Sequence, residues 1–242
     1  MGYRTDTGMV VPTVTADQMR EVDRLAVEEF GLGILQMMEN AGRSLAEHAM
    51  DMVTGPSGPV LILAGTGGNG GGGLCCARHL HNRGLAVQIA ITRPPDVESA
   101  AGRQLHTLQT AGLSPLALTE VPTAIDGAAL IVDALIGYGL VGAARGMAAR
   151  WIALSDASGR RILSLDVPSG LDATTGQAWG PVVRPKRTLT LALPKTGLDG
   201  AAGALFLADI GIPRELYARM GIAYRPPFGT KYWVPLRYSA DM

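Results

Sequence analysis

Only two cysteines occur among the 242 residues, and they are neighbours, Cys75 and Cys76. Adjacent cysteines cannot build a long-range disulfide framework, and they lack the spacing of a metal clip. They read as two small buried side chains on a helix in a reduced compartment. Histidine is almost as scarce, at four. His48, His79, His81 and His106 all fall in predicted helices without nucleophile or metal spacing, and they read as structural or solvent-facing. Neither sign of charge is in excess, with 21 basic and 21 acidic residues. That balance excludes the electrostatic footprint of a protein for nucleic acid or an anionic membrane. No apolar run approaches the roughly 20 residues of a membrane-spanning helix. The first residues, MGYRTDTGMVVPTV, lack the charged-then-apolar profile of a signal peptide, and Asp6 breaks a myristoylation pattern. A cytoplasmic protein without nucleic-acid or membrane partners is the expectation.

What the chain does have is apolar content, 47%, and glycine, 32 residues. The length suits one large α/β domain over 1–242, with a core over 10–222 and a tail over 223–242. Thr15-Ala-Asp-Gln18 reads as a capping box opening a helix whose apolar residues are Met19, Val22, Leu25 and Ala26. A second helix is expected over 34–53, and Gly55-Pro56-Ser57-Gly58 reads as a loop. From there the pattern is strand and helix in alternation. Strands are expected at 60–64, 87–92, 115–118, 129–132, 161–165, 188–193 and 204–207. Helices are expected up to about 82, near 97–111 and near 146–158. Short apolar strands alternating with helices imply a mainly parallel sheet covered on both faces. The segment 224–238 reads as packed extended chain.

Ligands of such sheets sit beyond the carboxyl ends of the strands. Three strand ends here are chemically rich. The first carries Gly65-Thr-Gly-Gly-Asn-Gly-Gly-Gly-Gly73, in which Gly65, Gly67 and Gly70 match G-x-G-x-x-G. Glycine lets the backbone turn sharply and approach a ligand, and the helix start that follows favours an anion. The ordinary dinucleotide fingerprint also wants an acid at the next strand's end. That position holds Thr92-Arg93-Pro94. With no histidine at a strand end either, an ordinary dehydrogenase ranks last, and the missing Gly-Lys-Ser/Thr excludes a P-loop. The second end is Asp133-Ala-Leu-Ile-Gly137. The third is Asp166-Val-Pro-Ser169-Gly-Leu-Asp172. Two strand-end carboxylates, a hydroxyl and Asn69 make an all-oxygen set that suits a hard cation. Paired carboxylates in different environments also divide into acid and base. Lys195, after a late strand, either reaches this crevice or stands in solvent.

These motifs, together with Met38-Glu-Asn-Ala-Gly42, Ala77-Arg78-His79-Leu80 and Leu193-Pro-Lys-Thr-Gly-Leu198, resemble the NAD(P)H-hydrate epimerases. The resemblance extends from Thr15 to about Gly221. It implies a three-layer α/β/α Rossmann-like sandwich. It implies epimerisation of NADH or NADPH hydrated at nicotinamide C6, a bound potassium ion, a homodimer, and a separate dehydratase as functional partner. The resemblance makes Asn69, Asp133 and Ser169 the potassium ligands, helped by carbonyls near 137–143. Gly68, Asn69, Gly70, Gly71 and Gly72 would hold the hydrated nucleotide, with Gly137, Tyr138, Gly139, Leu140, Val141, Gly142, Ala143 and Asp166. Asp166 is expected as acid and base, and Asp133 as the metal holder, with exchanged roles as the alternative. The family's loop usually reads Asn-Asn-Gly-Gly-Asp-Gly, so Gly68 and Gly72 replace an amide and a carboxylate. That departure motivates the competing expectation of a non-catalytic nucleotide or metabolite binder on the same fold.

Overall fold

The computed structural model describes residues 2–239 apart from Thr54, Pro56 and Ser57. Two residues of the expected 55–58 loop, and residues 240–242, therefore lie outside the described residues. Strands β1 (Gly2–Thr5) and β2 (Val10–Val11) precede α1 (Ala16–Glu28) and α2 (Ile34–Met52). Then follow β3 (Val60–Ala64), α3 (Gly68–His81), β4 (Val87–Ile91), α4 (Ala100–Thr110), α5 (Val121–Gly127) and β5 (Leu130–Ala134). The remainder comprises α6 (Gly146–Ala157), β6 (Ile162–Leu165), β7 (Arg187–Leu191), β8 (Ala204–Ala208), α7 (Arg214–Arg219) and β9 (Trp233–Ser239). All nine strands form one sheet in the order β2-β1-β9-β8-β7-β6-β5-β3-β4. From β4 through β8 every neighbouring pair is parallel, and β9 and β1 add antiparallel strands. The fold is the expected three-layer α/β/α sandwich.

Its layering follows from side-chain alternation. Val60, Ile62 and Ala64 of β3, with Leu130, Val132 and Ala134 of β5, pack among residues of α2, α3 and α4. Leu61, Leu63 and Ile131 face the opposite way, into α5 and α6. The capping box at Thr15 is formed in both directions, with Gln18 N–H on Thr15 Oγ1 and Thr15 N–H on Gln18 Oε1.

Two expectations are corrected. Residues 115–118 form no strand; Leu116 makes a single backbone bond to Ile89, and the chain turns directly into α5. A lone bond of this kind does not propagate a ladder, and Pro115 removes a donor. The glycine nonapeptide is not a loop throughout, because α3 begins at Gly68 and Gly70–Gly73 are buried inside it. Tertiary packing overrides the poor helix propensity of glycine here. A Cβ at Gly42 of α2 would lie 2.5 Å from the Cys75 side chain of α3, so these helices meet at a distance only glycine permits. The segment expected as packed extended chain, 224–238, carries the strand Trp233–Ser239, which lies between β8 and β1.

The α2–α3 contact also carries a polar clasp. Glu39 accepts from Arg78 Nη2 and lies 2.8 Å from His79 Nε2, with Cys75 Sγ 3.4 Å away. Cys75 and Cys76 are both fully buried, as expected.

Candidate active site

Strands β3, β5, β6 and β7 end on the same edge of the sheet. The chain leaves β3 toward β4 on one side and returns to β5 on the other, so the sheet's switch point lies between β3 and β5. A crevice opens beyond strand ends at such a point. Here it is a cavity of about 670 Å³, lined along one wall by Gly65–Asn69 and along another by Leu135–Gly139. Asp166 and Lys195 lie at its polar end, and Met19, Met37, Met38 and Ile210 supply apolar wall. Gly65 is glycine because its Cβ would sit 2.1 Å from the Leu135 carbonyl oxygen. That close approach brings the two walls together. The N–H groups that open α3 have no intrahelical acceptor, and no side chain caps them.

Asp166 lies just past the last residue of β6. Its backbone takes a positive φ of 67°, and Val167 N–H closes a tight three-residue turn onto Leu165 O at 2.9 Å. A non-glycine residue in this region costs on the order of 1–3 kcal/mol, so the surroundings must hold it there. They do. Asp166 N–H bonds Leu189 O at 2.8 Å, and its Oδ1 accepts from Leu191 N–H at 3.1 Å and from Lys195 Nζ. Strand β7 ends in a matching turn, with φ 63° at Ala192 and Leu193 N–H on Leu191 O at 2.7 Å. That turn swings Lys195 back over the strand, and its Nζ donates to Leu191 O at 2.9 Å. Lys195 is wholly buried. Asp166 Oδ2 accepts no hydrogen bond among the described residues, and Asp166 lines the cavity.

The other strand-end acid sits differently. Asp133 is 1% exposed and is not part of the cavity wall. Its Oδ1 accepts from Ser169 Oγ at 2.6 Å, and its Oδ2 from Ser169 N–H at 2.9 Å and Ser164 Oγ at 2.8 Å. Burial pushes its carboxyl above the usual range, opposed by these bonds from Ser169 and Ser164. Ser169 Oγ in turn accepts from Ile136 N–H at 2.9 Å and lies 3.1 Å from Ile136 O. Asp133 and Ser169 thus fasten β5, β6 and the 136–139 turn from beneath. The Asn69 amide lies over that turn: a Cβ at Gly137 would be 3.1 Å from Asn69 Oδ1. Asn69 Nδ2 is buried without a partner among the described residues.

Of the expected nucleotide-contacting residues, Gly68, Asn69, Gly72, Gly137, Tyr138, Gly139 and Asp166 line the cavity. Gly70 and Gly71 are turned into the helix packing, against Gly65 and Met38. Leu140, Val141, Gly142 and Ala143 lie outside the wall, and Val141 is 81% exposed. Gly72 faces Leu165, whose Cδ2 would be 2.7 Å from an added Cβ.

One polar residue, Asp23, was not singled out in the sequence. Tyr138 Oη donates to Asp23 Oδ2, and the Lys195 ammonium lies 5.8 Å from the Tyr138 ring centre. Burial raises the Asp23 carboxyl above its usual range, opposed by the Tyr138 bond and the Lys195 charge. The signal for Asp23 was its spacing: it stands one turn after Met19 and three before Ala26, on the apolar stripe of α1. Lys195, open between crevice and solvent, belongs to the crevice.

Residues 34–197 match the family described as YjeF-related protein N-terminus. The chain is 46% identical over 241 residues to the NAD(P)H-hydrate epimerase of Dehalogenimonas lykanthroporepellens, covering 98% of both chains. It is 34% identical to that of Rhodopirellula baltica, covering 88% of this chain and 89% of the relative. The bifunctional NAD(P)H-hydrate repair enzyme of Moorella thermoacetica is 40% identical over 85% of this chain, which spans 41% of that longer relative. Among solved structures, yeast ynu0 superposes with a TM-score of 0.81 at 23% identity, over 93% of this chain and all of that one, a likeness of fold.

Proposed function

The chain belongs to the NAD(P)H-hydrate epimerase family, and on that premise we propose that it interconverts the R and S forms of hydrated NADH and NADPH at nicotinamide C6. The supporting observation is Asp166, a strand-end carboxylate in the cavity wall with one oxygen tied to Lys195 and the other without a hydrogen bond among the described residues. Reversal at C6 needs hydroxide to leave one face and water to return on the other. The ring nitrogen pushes the hydroxyl out and becomes an iminium ion, while an acid protonates the departing oxygen. A carboxylate then takes a proton from the incoming water, so that atoms and charge return to where they began. Asp166 Oδ2 performs both transfers, and Lys195, hydrogen-bonded to Oδ1, is the adjoining proton store. The carboxylate also stabilises the cationic ring while it exists. Asp133, with both oxygens occupied, positions the site and does not transfer protons.

The oxygen set formed by Asn69 Oδ1, Asp133, Ser169 Oγ and carbonyls of the 136–143 segment suits potassium. The unpartnered Asn69 amide and the buried Asp133 charge are the observations that fit such an ion. When bound, it would neutralise Asp133 and stiffen the turn that faces the nicotinamide. Among the described residues no helix is long and apolar enough to cross a membrane. A cytoplasmic homodimer acting with a separate dehydratase completes the reading.

The test is pure R-epimer with potassium present, its conversion followed by chromatography. Acceleration over the spontaneous rate is expected, and its absence defeats the proposal. A second reading, a nucleotide binder without turnover, is motivated by Gly72, which brings no carboxylate to the wall. Dinucleotide binding without acceleration would select it.

A further inference from the structure

We infer that Arg93 is a binding site for the ribose 2′-phosphate of a phosphorylated dinucleotide, which makes hydrated NADPH the preferred substrate over hydrated NADH. This rests on the reading of the crevice as a hydrated-dinucleotide site. Its basis is the relation of β4 to β3. The two strands are parallel and adjacent, with Ala64 opposite Ile91, and Thr92 N–H bonds Ala64 O at 3.1 Å. Arg93 therefore emerges immediately beside the glycine turn, and it lines the same cavity as Thr66–Gly68.

In dinucleotide-binding sheets the pyrophosphate lies at the helix start after the first strand. The end of the second strand then faces the adenosine ribose. An acid there grips the ribose hydroxyls, whereas an arginine accommodates a 2′-phosphate. This chain has no acid at that place. Pro94 and Pro95 follow, and the first carboxylate beyond, Asp96, is exposed and accepts from its own loop, Glu98 N–H at 2.9 Å.

The charge state of the wall points the same way. Three cations line the cavity. Lys195 is paired with Asp166, and Arg20 with Asp17. Arg93 is exposed and has neither ion pair nor hydrogen bond among the described residues. An unpaired guanidinium presents a fork of donors that matches phosphate oxygens two at a time. The proline pair fixes the backbone that carries it. A bare ribose, with two hydroxyls and no charge, offers this group little.

Two measurements test the inference. The first compares kcat/KM for the R-epimers of hydrated NADPH and hydrated NADH in the native protein, Arg93→Ala and Arg93→Lys. The native protein should favour the phosphorylated form by about ten- to a hundredfold, the range of a charge-assisted contact. Arg93→Ala should bring the ratio toward one through KM, and Arg93→Lys should retain part of it. A ratio unchanged by Arg93→Ala overturns the inference. The second is calorimetric binding of adenosine 2′,5′-bisphosphate and of 5′-AMP, which needs no turnover. Tighter binding of the bisphosphate, lost in Arg93→Ala, supports the site even if neither hydrate is converted, in which case the epimerase reading alone fails. Equal affinities in the native protein overturn the site.

Discussion

Lys195 Nζ donates to Asp166 Oδ1 in a place where neither side chain is more than 5% exposed. The pair is held by two consecutive strand ends, each closed by a tight turn with positive φ, at Asp166 and at Ala192. Removing one partner of a buried pair leaves an uncompensated charge, at a cost of about 3–5 kcal/mol. Lys195→Met is therefore expected to lower unfolding free energy by that order in denaturant titration. Turnover of the R-epimer should fall by roughly 10²–10⁴, the range of a lost proton-transfer group. The double variant Asp166→Asn with Lys195→Met should recover much of the stability and none of the activity. Native-like turnover in Lys195→Met would remove it from the mechanism.

Asp133 predicts a different pattern. Its oxygens receive only donors, from Ser164, Ser169 and the Leu135 N–H. Asp133→Asn turns an NH₂ toward one of them, which costs about 1–3 kcal/mol for the unsatisfied buried groups. Stimulation of turnover by potassium over sodium should disappear in the same variant. Retained potassium stimulation would place the ion elsewhere.

The space beside Gly72 is taken by Leu165. Gly72→Asp should destabilise the protein by about 1–3 kcal/mol through overpacking. Adding Leu165→Val, which shortens the obstructing side chain, should recover part of that loss. If a carboxylate in this wall assists the reaction, the double variant should turn over faster than Leu165→Val alone. Gly72→Asp with undiminished thermal stability would show that Leu165 yields freely.

His48 makes a prediction about pH. It is 1% exposed, accepts from Arg187 Nη1 at 3.0 Å and packs against Phe206 and Trp233. Burial, and then the Arg187 charge, lower its pKa to about 4 from an ordinary 6.5. The unfolded chain thus binds the proton first. Stability from neutral His48 is complete above about pH 6.5 and is lost as pH falls toward 4. Some 2.5 pH units of differential proton binding correspond to about 3 kcal/mol. Urea titrations at stepped pH should show this slope in the native protein and a shallower one in His48→Gln. Identical slopes would assign acid lability to other groups.

Much of the fold was legible because apolar strands and capped helices announce themselves locally. The Thr15 capping box, the strand at 60–64 and the acids at 133 and 166 all sat where period and spacing placed them. The expected strand at 115–118 failed because a local apolar run does not specify a partner to pair with. The helical start at Gly68 was hidden because glycine argues against helix in isolation. Only the close seat of α3 against α2 and the sheet makes glycine the residue that fits.

The sequence by itself determined the strand–helix alternation of the core, the parallel sheet and the strand ends that carry chemistry, since each depends on neighbours within a few residues. Which of two similar acids faces the cavity was decided by tertiary structure alone. Asp133 and Asp166 both close an apolar strand, yet Ser164 and Ser169 enclose the first while a positive-φ turn lifts the second into the cavity. The partners of Asp166 and Tyr138, Lys195 and Asp23, come from 29 and 115 residues away in the chain. No local pattern encodes such distances; only the packing of α1 and the end of β7 across the strand ends brings those charges together.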